Sequence, residues 1–392
     1  MARLASSLVL IGIDASRVTR PRPTGTENYS LHVLRNLLAR DSPHDYRLYL
    51  SQPLPDGLLP LGPRTSARLI RLPRLWTQLG LSSEMLRAAP DVLFVPSHVL
   101  PLACPTRSVV VVYDVGHRFF PRAYGLLEWV YVEWAIRRHV RRATGLVTIS
   151  QASKRDLVRL YRADSERIAV AYPAVADHFH VAPSEEIARV RARYGLGPRY
   201  VLHVGTLKPR KNLSRLVQAF GRARLPPDTQ LVLAGTSTFD AGWLGRALDR
   251  TSTGGRVRWL SYVALQDLPA LYTGAAAVAI VSLYEGFGMP ALEALACGAP
   301  LVAGNRGSLP EIAAGAGLLV DPLDVTSIAG ALERVVADLR LASKLRAHGP
   351  EQARRYTWAD AARVTAELID WAGVNPTAAY TPARSRPRSV PS

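Results

Sequence analysis

The sequence predicts an α/β fold made of two parallel-sheet domains, and three observations favour it. The chain has 392 residues, which suits two or three domains, and 48% of them are apolar, enough for a large core. From Leu8 onward, short apolar runs alternate with amphipathic stretches, a pattern typical of parallel α/β units. The segment Pro173–Pro183 has no periodicity and a changed composition, so we place the domain boundary there.

In the first half, apolar runs predict strands, and apolar residues at helical spacing predict the helices between them. The predicted strands are Leu8–Ile13, Tyr46–Leu50, Arg68–Leu72, Val92–Val95, Val109–Tyr113, Gly145–Ile149 and Arg167–Tyr172. The predicted helices are one that begins after Thr24 and carries Leu31 and Leu34, then Glu128–Arg142, then Lys154–Tyr161 capped by Ser150.

The second half continues the same alternation. Its predicted strands are Tyr200–Val204, Gln230–Ala234, Val257–Leu260, Val278–Leu283, Pro300–Ala303 and Gly317–Val320. Its predicted helices are Ser184–Tyr194, Leu213–Arg222, Leu268–Gly274, Ile328–Arg340 and a final Trp358–Trp371. We assign residues 1–176 to the first domain, 184–355 to the second, 356–373 to a terminal helix that could cross back to the first, and 375–392 to a disordered tail without core-forming residues.

Composition limits the partners and the compartment. The net charge of +18 favours anionic partners, but the arginines are scattered and no nucleic-acid module is recognisable, so we expect no nucleic-acid partner. No apolar run approaches the ~18 residues of a membrane span, and Asp14 interrupts the apolar start before it could act as a signal peptide. Cys104 and Cys297 indicate buried thiols in a reducing cytoplasm. Without metal-ligand spacing or a P-loop motif, we expect no metal and no cofactor.

The stretch Leu283–Gly298 carries the strongest functional signal. An apolar run leads into Gly286 and Gly288, which permit a tight turn, and a helix follows. A strand, a glycine turn and a helix start form an anion site, because N–H groups and the positive end of the helix dipole point to one spot. Glu285 and Glu293 flank the turn, and carboxylates accept hydrogen bonds from the paired hydroxyls of a sugar.

This stretch resembles the signature of the glycosyltransferase family 4 enzymes: two glutamates separated by seven residues, with Gly-Phe-Gly-hydrophobic-Pro between them. The resemblance implies two Rossmann-like domains facing across a cleft (the GT-B architecture), a nucleotide-sugar donor, retention of configuration and no metal. It also implies that Glu293 binds ribose hydroxyls and that Glu285 contacts the sugar hydroxyls or stabilises an oxocarbenium-like centre. An ordinary βα turn with solvated acids is the alternative.

A second motif occupies residues 205–212, where a predicted strand runs into a glycine turn. Arg210 and Lys211 stand together just before the next helix and would suit a diphosphate, arginine by a forked contact and lysine by a point contact. Gly205-Thr206, followed after two residues by Pro-Arg-Lys-Asn, resembles a mannosyltransferase-like subgroup of the family, in which the lysine holds the donor diphosphate. Solvated cations at a helix start are the alternative.

In the first half, Gly25 and Thr26 follow the first strand and open a helix. They resemble the family's glycine loop, which faces the donor diphosphate and the acceptor. Arg17, Arg20 and Arg22 precede this loop and could attract an anionic acceptor. A flexible surface loop is the competing interpretation.

One strand end departs from the family pattern. Asp114 stands at the carboxyl end of a predicted parallel strand, where ligands commonly bind. Related sequences often have a histidine directly before this aspartate, near the transferred sugar, whereas this chain has Tyr113 there and His117 three residues after Asp114. His117 could reach the same space, or it could be exposed, and the departure places the acceptor-side chemistry in doubt.

The helix Glu128–Arg142 combines aromatic residues with a cluster of arginines. Such a helix could lie on an anionic membrane. More often, the aromatic residues pack into a core while the arginines form a solvated face, and we favour this second interpretation.

Together these features predict a retaining, metal-independent hexosyltransferase of cell-surface polysaccharide or glycolipid synthesis. Its favoured donor is GDP-mannose, with a UDP-hexose as the other candidate, and its acceptor is a glycan or a lipid-linked glycan. We expect it in the cytoplasm, or at the inner face of the membrane if the basic helix makes a peripheral contact with anionic lipid. The alternative is a catalytically silent nucleotide-sugar-binding or scaffolding protein on the same fold. The expected catalytic residues are Lys211, Arg210, Glu285, Asp114 and His117. The expected donor-binding residues are Gly25, Thr26, Gly205, Thr206, Tyr262, Val263, Gly286, Phe287, Gly288, Met289 and Glu293.

Overall fold

The computed structural model describes residues 8–20, 25–96, 99–236, 255–374 and 380. The chain divides into two units: Met1–Pro173 together with Thr357–Ser392, and Ala174–Tyr356. Each unit contains a parallel sheet with helices, so the predicted fold class, α/β with two Rossmann-like domains, is confirmed. Arg22, Thr24 and the predicted disordered tail, apart from Tyr380, lie outside the described residues.

The first unit contains a seven-stranded parallel sheet with the order β3-β2-β1-β4-β5-β6-β7. Its strands are β1 Leu10–Asp14, β2 Asp45–Leu50, β3 Thr65–Leu69, β4 Val92–Val95, β5 Ser108–Val111, β6 Gly145–Thr148 and β7 Ile168–Val170. Strands β4 to β7 are buried throughout, as expected for continuous apolar runs covered on both faces. The strand order reverses at β1, which lies between β2 and β4, and ligands of such sheets bind at the carboxyl ends beside this point.

The helices of the first unit are α1 Gly25–Leu38, α2 Ser82–Ala88, α3 Gly116–Phe119, α4 Leu126–Arg142 and α5 Gln151–Tyr161, and a π-helical turn, Trp76–Leu81, precedes α2. The predicted cap is confirmed, because Ser150 Oγ accepts a hydrogen bond from Ser153 N at 3.0 Å. The terminal helix Trp358–Val374 belongs to this unit. It packs closely on β6, where a Cβ on Gly145 would lie 2.9 Å from Leu368 Cγ.

Helix α4 corrects one interpretation. Its buried side carries Ala135, Ile136 and Val140, but Tyr131 and Trp134 are 48% and 40% exposed, so the favoured interpretation of core-packed aromatics is wrong for these two residues. The cause is that α4 carries apolar residues on two sides, and only one of them faces the sheet. Among the described helices, none is both long enough and apolar enough to span a membrane.

The second unit contains a six-stranded parallel sheet with the order β10-β9-β8-β11-β12-β13. Its strands are β8 Arg199–Val204, β9 Thr229–Ala234, β10 Val257–Trp259, β11 Ala277–Ile280, β12 Leu301–Gly304 and β13 Gly317–Val320. Its helices are α6 Ser184–Tyr194, α7 Leu213–Arg222, α8 Leu268–Thr273, α9 Met289–Ala296, α10 Leu309–Ala313, α11 Val325–Ala337 and α12 Leu339–Ala353; the terminal helix of the first unit is α13. The strand order reverses between β8 and β11, so the turns that follow these two strands are neighbours.

One predicted helix is divided in two. The prediction Ile328–Arg340 spans the end of α11 and the start of α12, because Asp338 between them has an extended backbone, with φ −90° and ψ 93°. Its carboxylate accepts a hydrogen bond from Leu341 N at 3.0 Å and so caps the second helix.

Candidate functional site

The two strongest sequence motifs meet in the second unit. Gly205 follows β8 and Glu285 follows β11, and these strands are hydrogen-bonded neighbours. Lys211 Nζ lies 2.5 Å from Glu285 Oε1, and Arg210 Nη1 lies 2.6 Å from Glu285 Oε2. The sheet topology therefore brings together the cations of one motif and the first glutamate of the other.

The cluster formed by Lys211, Arg210 and Glu285 is largely buried, and its opposite charges are in direct contact. Ser282 Oγ also donates to Glu285 Oε1 at 2.6 Å, so the carboxylate accepts from three side chains. Burial alone would raise the pKa of Glu285, but the positive charges of Lys211 and Arg210 lower it to about 2. Burial lowers the pKa of Lys211, and Glu285 opposes this shift. Two cations and one carboxylate give the cluster a net charge of +1, which suits an anionic ligand.

The backbone that carries Lys211 requires particular residues. Asn212, directly after it, has φ 61° and ψ 31°, a left-handed conformation that asparagine tolerates better than most side chains. Its Nδ2 donates to Val281 O at 3.1 Å and to Pro322 O at 2.5 Å, which fixes the turn to the ends of β11 and β13. Gly205 has φ 142°, and a Cβ there would lie 3.7 Å from Lys211 Nζ. The motif thus holds the lysine side chain against the strand end.

The glycine turn before α9 is held in place by contacts with Ser308 and Leu309, at the start of α10. Gly288 has φ 98°, and a Cβ there would lie 2.9 Å from Leu309 Cδ2, so only glycine fits. Ser308 Oγ donates to Glu285 O at 3.1 Å and to Phe287 O at 2.5 Å. Helix α9 begins at Met289, which places the positive end of its dipole at this turn. The turn and the cation cluster together form a strong candidate site for a diphosphate.

Glu293 lies in helix α9, and its environment differs from that of Glu285, which precedes the helix. It is half-buried, and its Oε2 accepts a hydrogen bond from Tyr272 Oη at 2.8 Å. Burial raises its pKa to about 7, with the tyrosine hydrogen bond and Lys211 opposing the shift. One motif therefore holds one glutamate that is ionised throughout the physiological range and one that titrates near neutrality.

The remaining donor-side residues of the second unit lie on neighbouring turns. Thr206 follows Gly205 and is half-buried. Tyr262 is 72% exposed and Val263 is buried, on the turn that follows β10. This turn is joined to the end of β9 by the hydrogen bond from Gly235 N to Ser261 O at 2.7 Å. That Tyr262 and Val263 bind the donor stays a prediction.

In the first unit, the structure joins Thr26 and Tyr113. Helix α1 begins at Gly25, and Tyr113 Oη lies 3.1 Å from Thr26 O and 2.7 Å from Pro96 O. Burial raises the pKa of Tyr113 well above its ordinary value. The tyrosine that replaces the family's histidine therefore ties the start of α1 to the ends of β4 and β5.

His117 lies in the interior of the first unit, with an exposed fraction of 2%. Its Nε2 is 3.0 Å from Glu133 Oε2 and 3.1 Å from Tyr161 Oη. Asp114 is half-buried, and its Oδ1 accepts from Gly116 N at 2.8 Å. These contacts give both residues a structural function, and a contact with substrate stays a prediction.

Sequence reasoning missed the groups that hold the site in place: Ser282, Tyr272 and Ser308. Ser282 stands three residues before Glu285, which was a usable signal, since a hydroxyl at that spacing can reach back to a turn carboxylate. Tyr272 and Ser308 come from separate elements, α8 and the loop before α10, and offered no local signal.

Comparisons with known proteins identify the family to which both units are similar. Residues 184–354 match the family described as "Glycosyl transferases group 1", and residues 23–179 match "Glycosyltransferase Family 4". The O-antigen chain mannosyltransferase B of Escherichia coli is 32% identical over 257 residues, which are 64% of this chain and 67% of that protein. The serotype-specific mannosyltransferase WbdA of Escherichia coli is 30% identical over 236 residues, which are 58% of this chain and 28% of that protein.

A solved structure with the same fold is HepE of Anabaena, in complex with UDP and glucose. It aligns with a TM-score of 0.69 and 19% identity, covering 92% of this chain and 99% of the other. At this identity the likeness concerns the fold alone.

Proposed function

Because this chain belongs to glycosyltransferase family 4, we propose that it transfers a hexose from a nucleotide sugar to a hydroxyl acceptor with retention of configuration. We take mannose from GDP-mannose as the donor group, with a UDP-hexose as the other candidate. The mannosyltransferase relatives support mannose, and their O-antigen and serotype names support polysaccharide synthesis. The observation that carries the proposal is the Lys211–Arg210–Glu285 cluster beside the glycine turn of α9.

The cluster would stabilise the leaving group. When the bond between the sugar C1 and the diphosphate breaks, negative charge develops on the phosphate oxygens. Lys211, Arg210 and the positive end of α9 provide fixed positive potential at the turn where the diphosphate would lie. Because Glu285 already holds both cations in place, little reorganisation is needed during the reaction.

The structure supports a second function for Glu285. Its carboxylate accepts three hydrogen bonds from Lys211, Arg210 and Ser282, so it positions the cations. A contact with the donor sugar would use the one acceptor site that remains, on Oε2, and stays part of the proposal. Glu293, half-buried and with a pKa of about 7, would accept hydrogen bonds from the ribose hydroxyls in its ionised form.

In the proposed reaction, the acceptor oxygen bonds to C1 on the face from which the diphosphate departs. The acceptor proton passes to the released phosphate oxygen, so the step needs no protein base. Asp114, half-buried after β5, would assist on the acceptor side, whereas the imidazole of His117 is buried against Glu133 and Tyr161 and would act only through the structure. The proposal assigns charge stabilisation to Lys211 and Arg210 rather than to a metal, so EDTA should leave the activity unchanged, and restoration by a divalent ion would contradict this.

The direct test is a donor screen. We expect GDP-mannose to bind the purified chain in calorimetry and to be hydrolysed slowly to GDP without an acceptor, with product analysis by NMR showing an α-linked mannose when a glycan acceptor is supplied. Binding of a UDP-hexose in preference to GDP-mannose would change the donor but keep the reaction class. No binding of any nucleotide sugar would contradict the proposal.

A second candidate is a nucleotide-sugar-binding protein without catalytic activity. It is favoured by Tyr113, which occupies the position of the family's histidine and is hydrogen-bonded to backbone carbonyl groups. Donor binding without any hydrolysis or transfer, over the acceptors tested, would support it.

We also propose peripheral contact with an anionic membrane surface on the cytoplasmic side, through helix α4. Leu127, Val130, Tyr131 and Trp134 recur at helical spacing and are all at least 40% exposed, so they form one apolar stripe on the surface. The helix continues into a group of basic residues: Arg137, Arg138, Arg141 and Arg142. An apolar stripe beside a basic cluster matches the interface of an anionic bilayer.

Vesicle sedimentation tests this contact. We expect retention on phosphatidylglycerol vesicles and little on phosphatidylcholine vesicles. Leu127→Ser with Trp134→Ser should reduce the retention, whereas Leu339→Ser, an equally exposed leucine of the second unit, should not. Equal retention of all variants would contradict the proposal.

A further inference from the structure

A separate cavity of about 810 Å³ lies in the first unit, at the carboxyl edge of its sheet. Its walls come from the segments that follow β1, β2 and β3, together with one face of α4. The volume is within the range of about 300–1,000 Å³ that is typical of small-molecule sites. The Lys211–Glu285 cluster belongs to the second unit, so this cavity has its own set of residues.

The lining carries two cations, Arg17 and Arg20, and, among the residues that the structure describes, no carboxylate. Both arginines lie near Glu27, a buried carboxylate that is not part of the lining. Its Oε1 lies 3.9 Å from Arg17 Nη1 and 3.6 Å from Arg20 Nη1, longer than a direct hydrogen bond. Burial and the neighbouring Arg20 lower the pKa of Arg17, so an anion placed between the two guanidinium groups would relieve their repulsion.

Gln78 also belongs to the lining of the cavity. Gln78 lies in the π-helical turn Trp76–Leu81, and neither Nε2 nor Oε1 has a hydrogen-bond partner among the described residues, although both atoms are buried. Buried polar atoms without partners are rare, since they lose water without gaining a replacement. The turn begins after Leu75, whose φ of 54° is unfavourable for a leucine. π-Helical turns and such backbone conformations are frequent at functional sites.

Two aromatic rings complete the walls. Trp76 Nε1 donates to Ile70 O at 2.9 Å, which fixes the indole ring, and Tyr131 stacks on Trp134 with 5.8 Å between ring centroids. Flat rings beside hydroxyl and amide groups suit a sugar, which has an apolar C–H face and a polar rim. Ser16, Ser51 and Gln52 provide further polar groups in the lining.

We propose that this cavity binds the acceptor and selects one that carries a phosphate group, with Arg17 and Arg20 holding the phosphate and Trp76 packing on the adjoining sugar. The inference rests on the proposed glycosyl transfer and adds the substrate class to it. Arginine is suited to this function because its planar fork can make two parallel hydrogen bonds to phosphate oxygens. The phosphate could belong to a soluble sugar phosphate or to a lipid-linked one.

Calorimetry on the full chain tests the phosphate preference. GDP at saturating concentration first occupies the proposed donor site, and the protein is then titrated with mannose, glucose and galactose and with the 6-phosphate of each. We expect at least one phosphorylated hexose to bind about tenfold or more tightly than its parent, a difference equivalent to one or more charge-assisted hydrogen bonds. Equal affinity for every pair would overturn the inference.

Variants connect that preference to the cavity. Arg17→Gln with Arg20→Gln should abolish the difference between each phosphate and its parent, and Arg20→Gln alone, at a half-exposed side chain, should reduce it without risk to folding. Arg87→Gln, an exposed arginine of α2, should change nothing. A preference that survives the double variant would overturn the inference.

Two further measurements distinguish a soluble from a lipid-linked phosphate, and a failure of this inference from a failure of the proposed function. The preferred sugar phosphate is offered in solution and as an undecyl phosphodiester in phosphatidylcholine vesicles; tighter binding of the vesicle form indicates a lipid-linked acceptor, and the reverse indicates a soluble one. In both cases Arg17→Gln with Arg20→Gln should remove the gain in affinity that the phosphate group provides. If GDP-mannose binds but no phosphate preference appears, this inference fails alone, whereas absent donor binding counts against the proposed function.

Discussion

Glu285 in the second unit and Glu27 in the first are both buried to the same extent, and each lies beside two cations. Glu285 contacts Lys211 and Arg210 at 2.5 and 2.6 Å, whereas Glu27 lies 3.9 and 3.6 Å from Arg17 and Arg20. The first arrangement fixes the cations before a ligand arrives. The second leaves the arginines at the wall of a cavity, where a ligand can reorganise them.

This difference matches the chemistry proposed for each unit. A leaving group gains charge during the reaction, so its partners act best when they are already in place. An acceptor must enter and leave while keeping its charge, and two loosely held arginines on an open wall suit that requirement. If both proposals hold, the distance between a buried carboxylate and its cations distinguishes a preformed site for a leaving group from an adaptable site for a substrate.

The largest effect is expected for Glu285→Gln. Removal of one partner of a buried ion pair leaves the other charge uncompensated, which should lower the free energy of unfolding by about 3–5 kcal/mol in urea at pH 7. Because the pKa of Glu285 is held at about 2, below its ordinary 4.5, its stabilising contribution is present above pH 4.5 and is lost as the pH falls towards 2.

Two controls make the Glu285 result specific. Glu351→Gln, at an exposed position of α12, should leave the free energy of unfolding unchanged. Replacement of both partners, Lys211→Met with Glu285→Leu, should recover much of the lost stability while the activity stays low. If Glu285→Gln unfolds with nearly the same free energy as the unmodified protein, Glu285 does not hold Lys211 and Arg210 in place, and the contrast with Glu27 is lost.

Lys211→Ala should reduce turnover by about 100- to 1,000-fold, the usual cost of removing a preorganised donor from a developing oxyanion. Lys208→Ala is the matched control, because Lys208 lies in the same turn and does not contact Glu285 in the described structure. Initial rates with saturating donor distinguish the two variants. Near-normal turnover of Lys211→Ala would refute its function in leaving-group stabilisation.

The sequence pointed to the residues that meet in the second-unit cluster, whereas it did not indicate the first-unit cavity, for a physical reason. Arg210, Lys211 and Glu285 lie in two short segments whose glycines, and the asparagine at position 212, are required by local backbone geometry, so their pattern is visible in the sequence. The cavity combines the ends of three strands with Tyr131 of α4, and its π-helical turn has no sequence pattern that distinguishes it. Contacts between distant segments depend on packing, which periodicity does not describe.

The pH dependence of donor binding tests Glu293, whose pKa is raised to about 7 by burial. With its pKa raised to about 7, Glu293 loses its carboxylate as the pH falls below 7, and the ribose hydroxyls lose their acceptor. Donor affinity should therefore fall by up to about tenfold per pH unit below 7 in calorimetry. Glu293→Gln should bind more weakly at pH 8 but without this slope. A slope that persists in Glu293→Gln would assign the titration to another group.

The smallest effect is expected for Glu27→Gln, which removes the buried carboxylate near Arg17 and Arg20. If Glu27 only screens Arg17 and Arg20, its loss should tighten the binding of a sugar phosphate by up to about fivefold, since loose ion pairs contribute about 1 kcal/mol or less. Donor affinity should not change. Weaker binding of the sugar phosphate would mean that Glu27 orients the arginines, as Glu285 orients Lys211, and the two carboxylates would then serve the same function at different distances.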